Sequence, residues 1–110
     1  MRTLIKCGAL AVVLLGGMSV MAADAKENWD KECAKCHGQD GRGQTKMGRQ
    51  SGAKDYTDPK VQAEMDDAKA IARIKEGLKE NGKEKMKPYA DKFSEDEMKA
   101  LVAHMRSFKK

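Results

Sequence analysis

Cys33-Ala34-Lys35-Cys36-His37 constrains this chain more than any other stretch. Two thiols three residues apart, with a histidine directly after the second, form the pattern for covalent haem attachment. Each thiol can add across one vinyl group on one side of a porphyrin. About one helical turn between the thiols matches the separation of those vinyls. His37 then reaches the iron as an axial ligand. Other chemistries compete for the same residues. A bare CxxC also suits a disulfide or half of a zinc site. A thioredoxin-like disulfide wants a βαβ setting, and no such pattern occurs. Cys33, Cys36, His37 and His104 make a formal zinc set, but adjacent Cys36 and His37 join one tetrahedron poorly.

The chain has 110 residues and reads as an export signal followed by one domain. Arg2 and Lys6 precede an uncharged apolar run, and small residues follow it. That is the organisation of a secretory signal peptide. The rule for small residues places cleavage after Ala22, with Ala23 and Ala25 as alternative sites. Domains 1–22 and 23–110 follow, and the periplasm is the expected location. The run from Cys7 to Ala23 falls just short of a membrane span, so an uncleaved anchor is the other option. Cleavage removes only Arg2 and Lys6 among the charges, so the formal net charge falls from +5 to +3. No basic stripe interleaved with aromatics is present, and nucleic acid is not an expected partner.

Large apolar side chains are scarce after residue 22. A domain this small buries a modest share of its surface and often needs a staple. A central haem would supply the missing core, so the haem-free chain is expected to fold poorly.

No run of β-branched residues alternates, so the expectation is all-α with long loops and no strand. A first helix is expected over 25–35, with Trp29, Cys33 and Cys36 on one face. The glycine-rich stretch 38–52 reads as a loop. Its Gly41-Arg42-Gly43 lacks the third glycine and the preceding strand of a phosphate cradle. The glycines are instead expected to let the backbone approach a porphyrin edge. Asp58-Pro59 opens a short helix running to about Met65. Ile71, Ile74 and Leu78 mark another over 67–77. Residues 79–92 form a lysine-rich loop carrying Met86. Ser94 and Glu97 form a capping box, and Phe93 and Met98 a hydrophobic staple. Met98, Leu101, Val102, Met105 and Phe108 then make one apolar stripe, with His104 at its margin.

His37 leaves one axial position open. Candidate sixth ligands are Met47, Met65, Met86, Met98, Met105 and His104. Met98 and Met105 belong to the terminal stripe, and Met65 ends a short helix. Met47 follows His37 closely, in the glycine loop. Met86 is a lone apolar residue among lysines, which suits a soft sulfur ligand, although packing beneath the loop would also account for it.

The attachment motif, Met86-Lys87-Pro88-Tyr89 and the helix Leu101 to Phe108 together resemble the small bacterial class I cytochromes c. The resemblance spans the chain after the signal. It implies an all-α fold of several short helices around one covalently bound haem c, with the first and last helices crossing and Trp29 meeting the terminal stripe. It implies thioethers at Cys33 and Cys36 and axial ligation by His37 and Met86. Many members carry a proline after the histidine, whose carbonyl accepts the imidazole Nδ1–H. None occurs here between Gly38 and Tyr56, so that acceptor is unassigned.

The function so implied is a soluble, monomeric electron carrier and not an enzyme. Lys75, Lys79, Lys83, Lys85, Lys87 and Lys92 either steer its haem edge toward acidic redox partners or form a solvated face. The alternatives are a subunit of a dehydrogenase or oxidase complex, or a five-coordinate haem that binds a gas or peroxide.

Overall fold

The computed structural model describes residues 16–110. Most of the expected export signal lies outside the described residues, while the expected cut after Ala22 falls within the first helix. That helix, α1 (Gly16–Asn28), runs directly into a π-helical turn, Trp29–Cys33, and then into α2 (Ala34–His37). The helical run therefore begins before residue 25 and ends at His37 instead of Lys35. The Ala34 N–H reaches back to the Trp29 carbonyl, which widens the turn. The apolar spacing of an α-helix gave no hint of that insertion. Trp29 is 2% exposed in the core, while Cys33 sits half-buried at the core's edge.

The glycine-rich stretch is not wholly loop. It contains α3 (Lys46–Ser51), capped by Thr45, whose hydroxyl accepts the Gly48 N–H at 2.8 Å. Gly48 and the bordering Gly52 hide this helix from a propensity reading. The glycines there also serve protein packing. A Cβ on Gly48 would overlap the Cys36 and Gly43 carbonyls.

The next two helices follow the expected boundaries. Asp58 caps α4 (Pro59–Glu64) by accepting the Lys60 N–H, and Asp66 caps α5 (Asp67–Glu76) by accepting the Lys69 N–H. Arg106 ties both to the last helix. It donates to the Gln62 and Met65 carbonyls, at the end of α4, and pairs with Asp67 at 2.8 Å. Buried Gln62 adds a bond from its side-chain amide to the Met105 carbonyl at 2.8 Å.

The expectation of no strands is corrected at 78–86. Strands β1 (Leu78–Glu80) and β2 (Lys83–Met86) pair antiparallel, with an irregularity between Leu78 and Lys79. Asn81 (φ 52°) and Gly82 (φ 76°) form the turn. An Asn-Gly pair is the strongest short signal for such a hairpin, but the charged flanks lack the apolar alternation that identifies strands. Lys79 faces Glu84 and Glu80 faces Lys83, so opposite charges meet across the ladder.

Helix α6 (Glu95–Ser107) has the complete capping box between Ser94 and Glu97. Such a cap stabilises a helix end by about 1 kcal/mol. Its buried stripe of Met98, Leu101, Val102 and Met105 joins Trp29, Ile74, Tyr89 and Phe93 in one core. Helices α1 and α5 both lie against α6, so the first and last helices meet around Trp29.

Candidate haem site

A helix end leaves carbonyls without partners, and at the end of α2 this chain satisfies them one by one. The Ala34 carbonyl accepts the Gly38 N–H at 2.8 Å, and the His37 carbonyl accepts the Gly43 N–H at 2.8 Å. The Cys36 carbonyl accepts the Thr45 hydroxyl at 2.8 Å, so one threonine caps α3 and holds it to the CxxCH helix. The Gly38 carbonyl accepts the Trp29 indole N–H at 2.9 Å. Trp29 is therefore more than packing: it fixes the backbone immediately after His37. The sequence reading missed both links. The threonine two residues after Gly43 and the only indole of the chain were the available signals.

The surroundings of His37 are aromatic. Its ring centroid lies 5.4 Å from Trp29 and 5.6 Å from Tyr56. Burial holds the imidazole below the usual histidine range, so it is neutral at pH 7, as a metal-ligating imidazole must be. Its Nδ1 is buried with no hydrogen-bond partner. The absence of a proline acceptor after the motif is thus not made good by another group among the described residues. His104 packs near Trp29 and Phe108, with centroids 5.6 Å and 4.9 Å away, and burial lowers its pKa too.

Cys33 and Cys36 are both free and half-buried. Burial, with smaller contributions from Glu32 and Cys36, pushes the Cys33 thiol up to about 12. A dithiol oxidoreductase needs the opposite shift on its attacking thiol. Burial, then the Cys33 charge, also raises Tyr56 and Tyr89, the latter to about 12. Both phenols are therefore neutral, and the Tyr89 hydroxyl donates to the Glu32 carbonyl. Among the described residues no three His, Cys, Asp or Glu side chains gather to hold a metal ion. The formal set of Cys33, Cys36, His37 and His104 is not a zinc cage here.

The methionines separate clearly. Met98 and Met105 are in the core, and Met47 is 41% exposed. Met65 and Met86 are half-buried against the core's edge, as are Cys33, Tyr56 and Ile71. The Met65 carbonyl is held to α6 by Arg106. The chain after Met86 is instead held to the CxxCH helix. The Tyr89 hydroxyl donates to the Glu32 carbonyl at 3.1 Å, and Lys87 lies 3.8 Å from the Glu32 carboxylate. The residue after Met86 is thus beside the residue before Cys33. A half-buried apolar rim, two thiols one helical turn apart and a neutral imidazole form a donor set that fits a covalently attached haem.

The family model described as Cytochrome c matches residues 22–109. The chain belongs to the cytochrome c family. It is similar to the solved structure titled KustC0563 c-type cytochrome, with 34% identity and a TM-score of 0.68, covering 78% of this chain and 98% of that one. A tyrosine-to-phenylalanine mutant of Kustc0563 is similar at 36% identity and a TM-score of 0.69, covering 78% and 99%. No curated protein matches the sequence. Membership carries the family's haem-based electron transfer to this cytochrome, and its helical fold agrees with the class I architecture expected from the sequence.

Proposed function

We propose that this cytochrome is a periplasmic single-electron carrier, holding one haem c through Cys33 and Cys36 with His37 and Met86 as axial ligands. The attachment of the Met86 segment to Glu32, beside Cys33, carries this reading. A bound haem supplies a one-electron couple. The residues of the chain set its terms. His37 and Met86 would hold the iron, and a thioether ligand would favour the ferrous state and raise the potential. The satisfied carbonyls of α2 hold the His37 backbone in both oxidation states, which keeps reorganisation small. The buried aromatics Trp29 and Tyr89 exclude water. With His37 and Met86 both holding the iron, a gas or peroxide would find no free site, which supports a carrier over an enzyme.

Export of residues 1–22 places the mature chain where the haem is attached. Among the described residues no helix is long and apolar enough to cross a membrane. The partners are redox proteins with acidic docking surfaces, met by a monomer. Steering is weak, because Lys79 and Lys83 face carboxylates across the hairpin and Lys75, Lys87 and Lys92 pair with Glu95 or Glu32. A shallow fall of the transfer rate with ionic strength is expected. A rate independent of salt refutes the docking surface.

Optical spectra of oxidised and reduced protein, beside Met86→Ala, test the ligand set. The native protein is expected to be low-spin in both states, and the variant to lose its sulfur-to-iron band. A variant with an unchanged spectrum moves the sixth ligand elsewhere, with Met65→Ala as the next variant.

A further inference from the structure

Glu32 is the residue before Cys33, yet its ion-pair partners lie more than fifty residues later. Its carboxylate, on a side chain only 17% exposed, accepts a hydrogen bond from Lys92 and lies 3.8 Å from Lys87. Its backbone carbonyl accepts the Tyr89 hydroxyl at 3.1 Å. Three of the six residues that follow Met86 therefore converge on one residue of the π-helical turn. Such turns occur preferentially at functional sites.

The other ion pairs among the described residues do different things. Lys26–Asp30 and Lys31–Glu27 are one turn apart on a single helical run, and Arg42–Asp40 is local. Lys75–Glu95 and Arg106–Asp67 join α5 to α6. Among the described residues, only the two pairs of Glu32 connect the CxxCH helical run to the Met86 segment by charge. The far side of that segment is anchored independently. The Tyr89 N–H donates to the Ile74 carbonyl at 3.0 Å, and the Tyr89 ring stacks on Phe93 at 5.4 Å. A segment fixed at its far side and clamped at its near side has little freedom to swing.

We propose that Glu32 is a positioning residue: it clamps the Met86 segment across the haem site and so sets how readily the methionine gives way to a competing ligand. The proposal rests on Met86 being the sixth ligand. The Glu32 side chain is partly shielded and both lysines are exposed, so the clamp has the modest strength of two surface pairs acting together with the Tyr89 hydrogen bond.

The test is imidazole titration of the oxidised holoprotein, because imidazole reaches the iron only when the methionine leaves. Glu32→Gln is expected to raise imidazole affinity about three- to tenfold. Lys92→Met is expected to give much of the same gain, and the double variant less than the sum. Added salt loosens the native clamp and raises imidazole affinity, while Glu32→Gln shows a flatter salt response. Asp67→Asn, which breaks the exposed pair with Arg106 at the opposite end of α5 from this segment, leaves the affinity unchanged and controls for general destabilisation. If Glu32→Gln fails to mature, the pair Lys87→Gln and Lys92→Gln tests the clamp from the other side. A native sulfur-to-iron band with unchanged imidazole affinity in the Glu32 variant overturns the clamp alone. A gain matched by Asp67→Asn also overturns it. Absence of that band in the native protein, or no effect of Met86→Ala on imidazole affinity, overturns the ligand reading and the clamp together.

Discussion

Gly77→Ala is the sharpest probe of how the Met86 segment is seated. Gly77 ends α5 at φ 73°, ψ −168°, a backbone region reserved in practice for glycine. Forcing alanine into it costs about 1–3 kcal/mol. The added Cβ would also lie 2.5 Å from the Met86 carbonyl oxygen, 2.8 Å from the Pro88 nitrogen and 2.9 Å from the Lys87 carbonyl carbon. All three are backbone atoms, so no rotamer change relieves the overlap. Overpacking of this kind adds about 1–3 kcal/mol. Together these effects predict a loss of about 2–6 kcal/mol. Gly82→Ala separates them, because Gly82 also has positive φ (76°) but nothing lies within 4 Å of its Cβ position. Its cost is backbone strain alone, about 1–2 kcal/mol. For a domain of this size each kcal/mol lowers the melting temperature by about 4–8 °C. Thermal and urea unfolding of the oxidised holoproteins measure the difference. Gly77→Ala is also expected to weaken the sulfur-to-iron band, while Gly82→Ala leaves it intact. Equal losses of stability in the two variants, with both bands intact, would refute the close seating of the Met86 segment on Gly77.

Thr45→Val removes the cap of α3 and the hydroxyl that serves the Cys36 carbonyl. It is expected to cost about 2 kcal/mol in urea unfolding, and a loss below about 0.5 kcal/mol contradicts the double role. Thr57 hydrogen bonds, from the hydroxyl first and the backbone N–H second, hold the Asp55 carboxyl below its usual value. A depressed carboxylate pKa adds stability above the unfolded value of about 3.9, which is lost as pH falls through the folded one. Asp55→Asn should therefore flatten the acid limb of a stability–pH curve, and an unchanged limb would count against it. Cys33→Ala/Cys36→Ala protein is expected to unfold without a sharp transition, because the core alone is small for the chain; a cooperative melt by circular dichroism contradicts this.

Much of the architecture was legible because the decisive residues act locally. Asp58-Pro59 and Ser94 with Glu97 mark helix starts by hydrogen bonds to the next few residues. The attachment motif is likewise a short-range pattern. What stayed hidden depends on contacts between distant segments. The hairpin at 78–86 has charged residues on its strands, so only Asn81-Gly82 betrays it. Helix α3 holds glycine because its backbone must pass close to the Cys36 carbonyl. The indole bond from Trp29 to Gly38 and the meeting of Lys87, Tyr89 and Lys92 at Glu32 follow from the fold, and spacing in the sequence carries no trace of them.

Whether the iron is closed on both sides is decided most directly by carbon monoxide titration of the reduced protein, followed optically. No binding to the native cytochrome is expected at concentrations that saturate Met86→Ala. Tight binding by the native protein, equal to that of the variant, would show an open sixth position and contradict it.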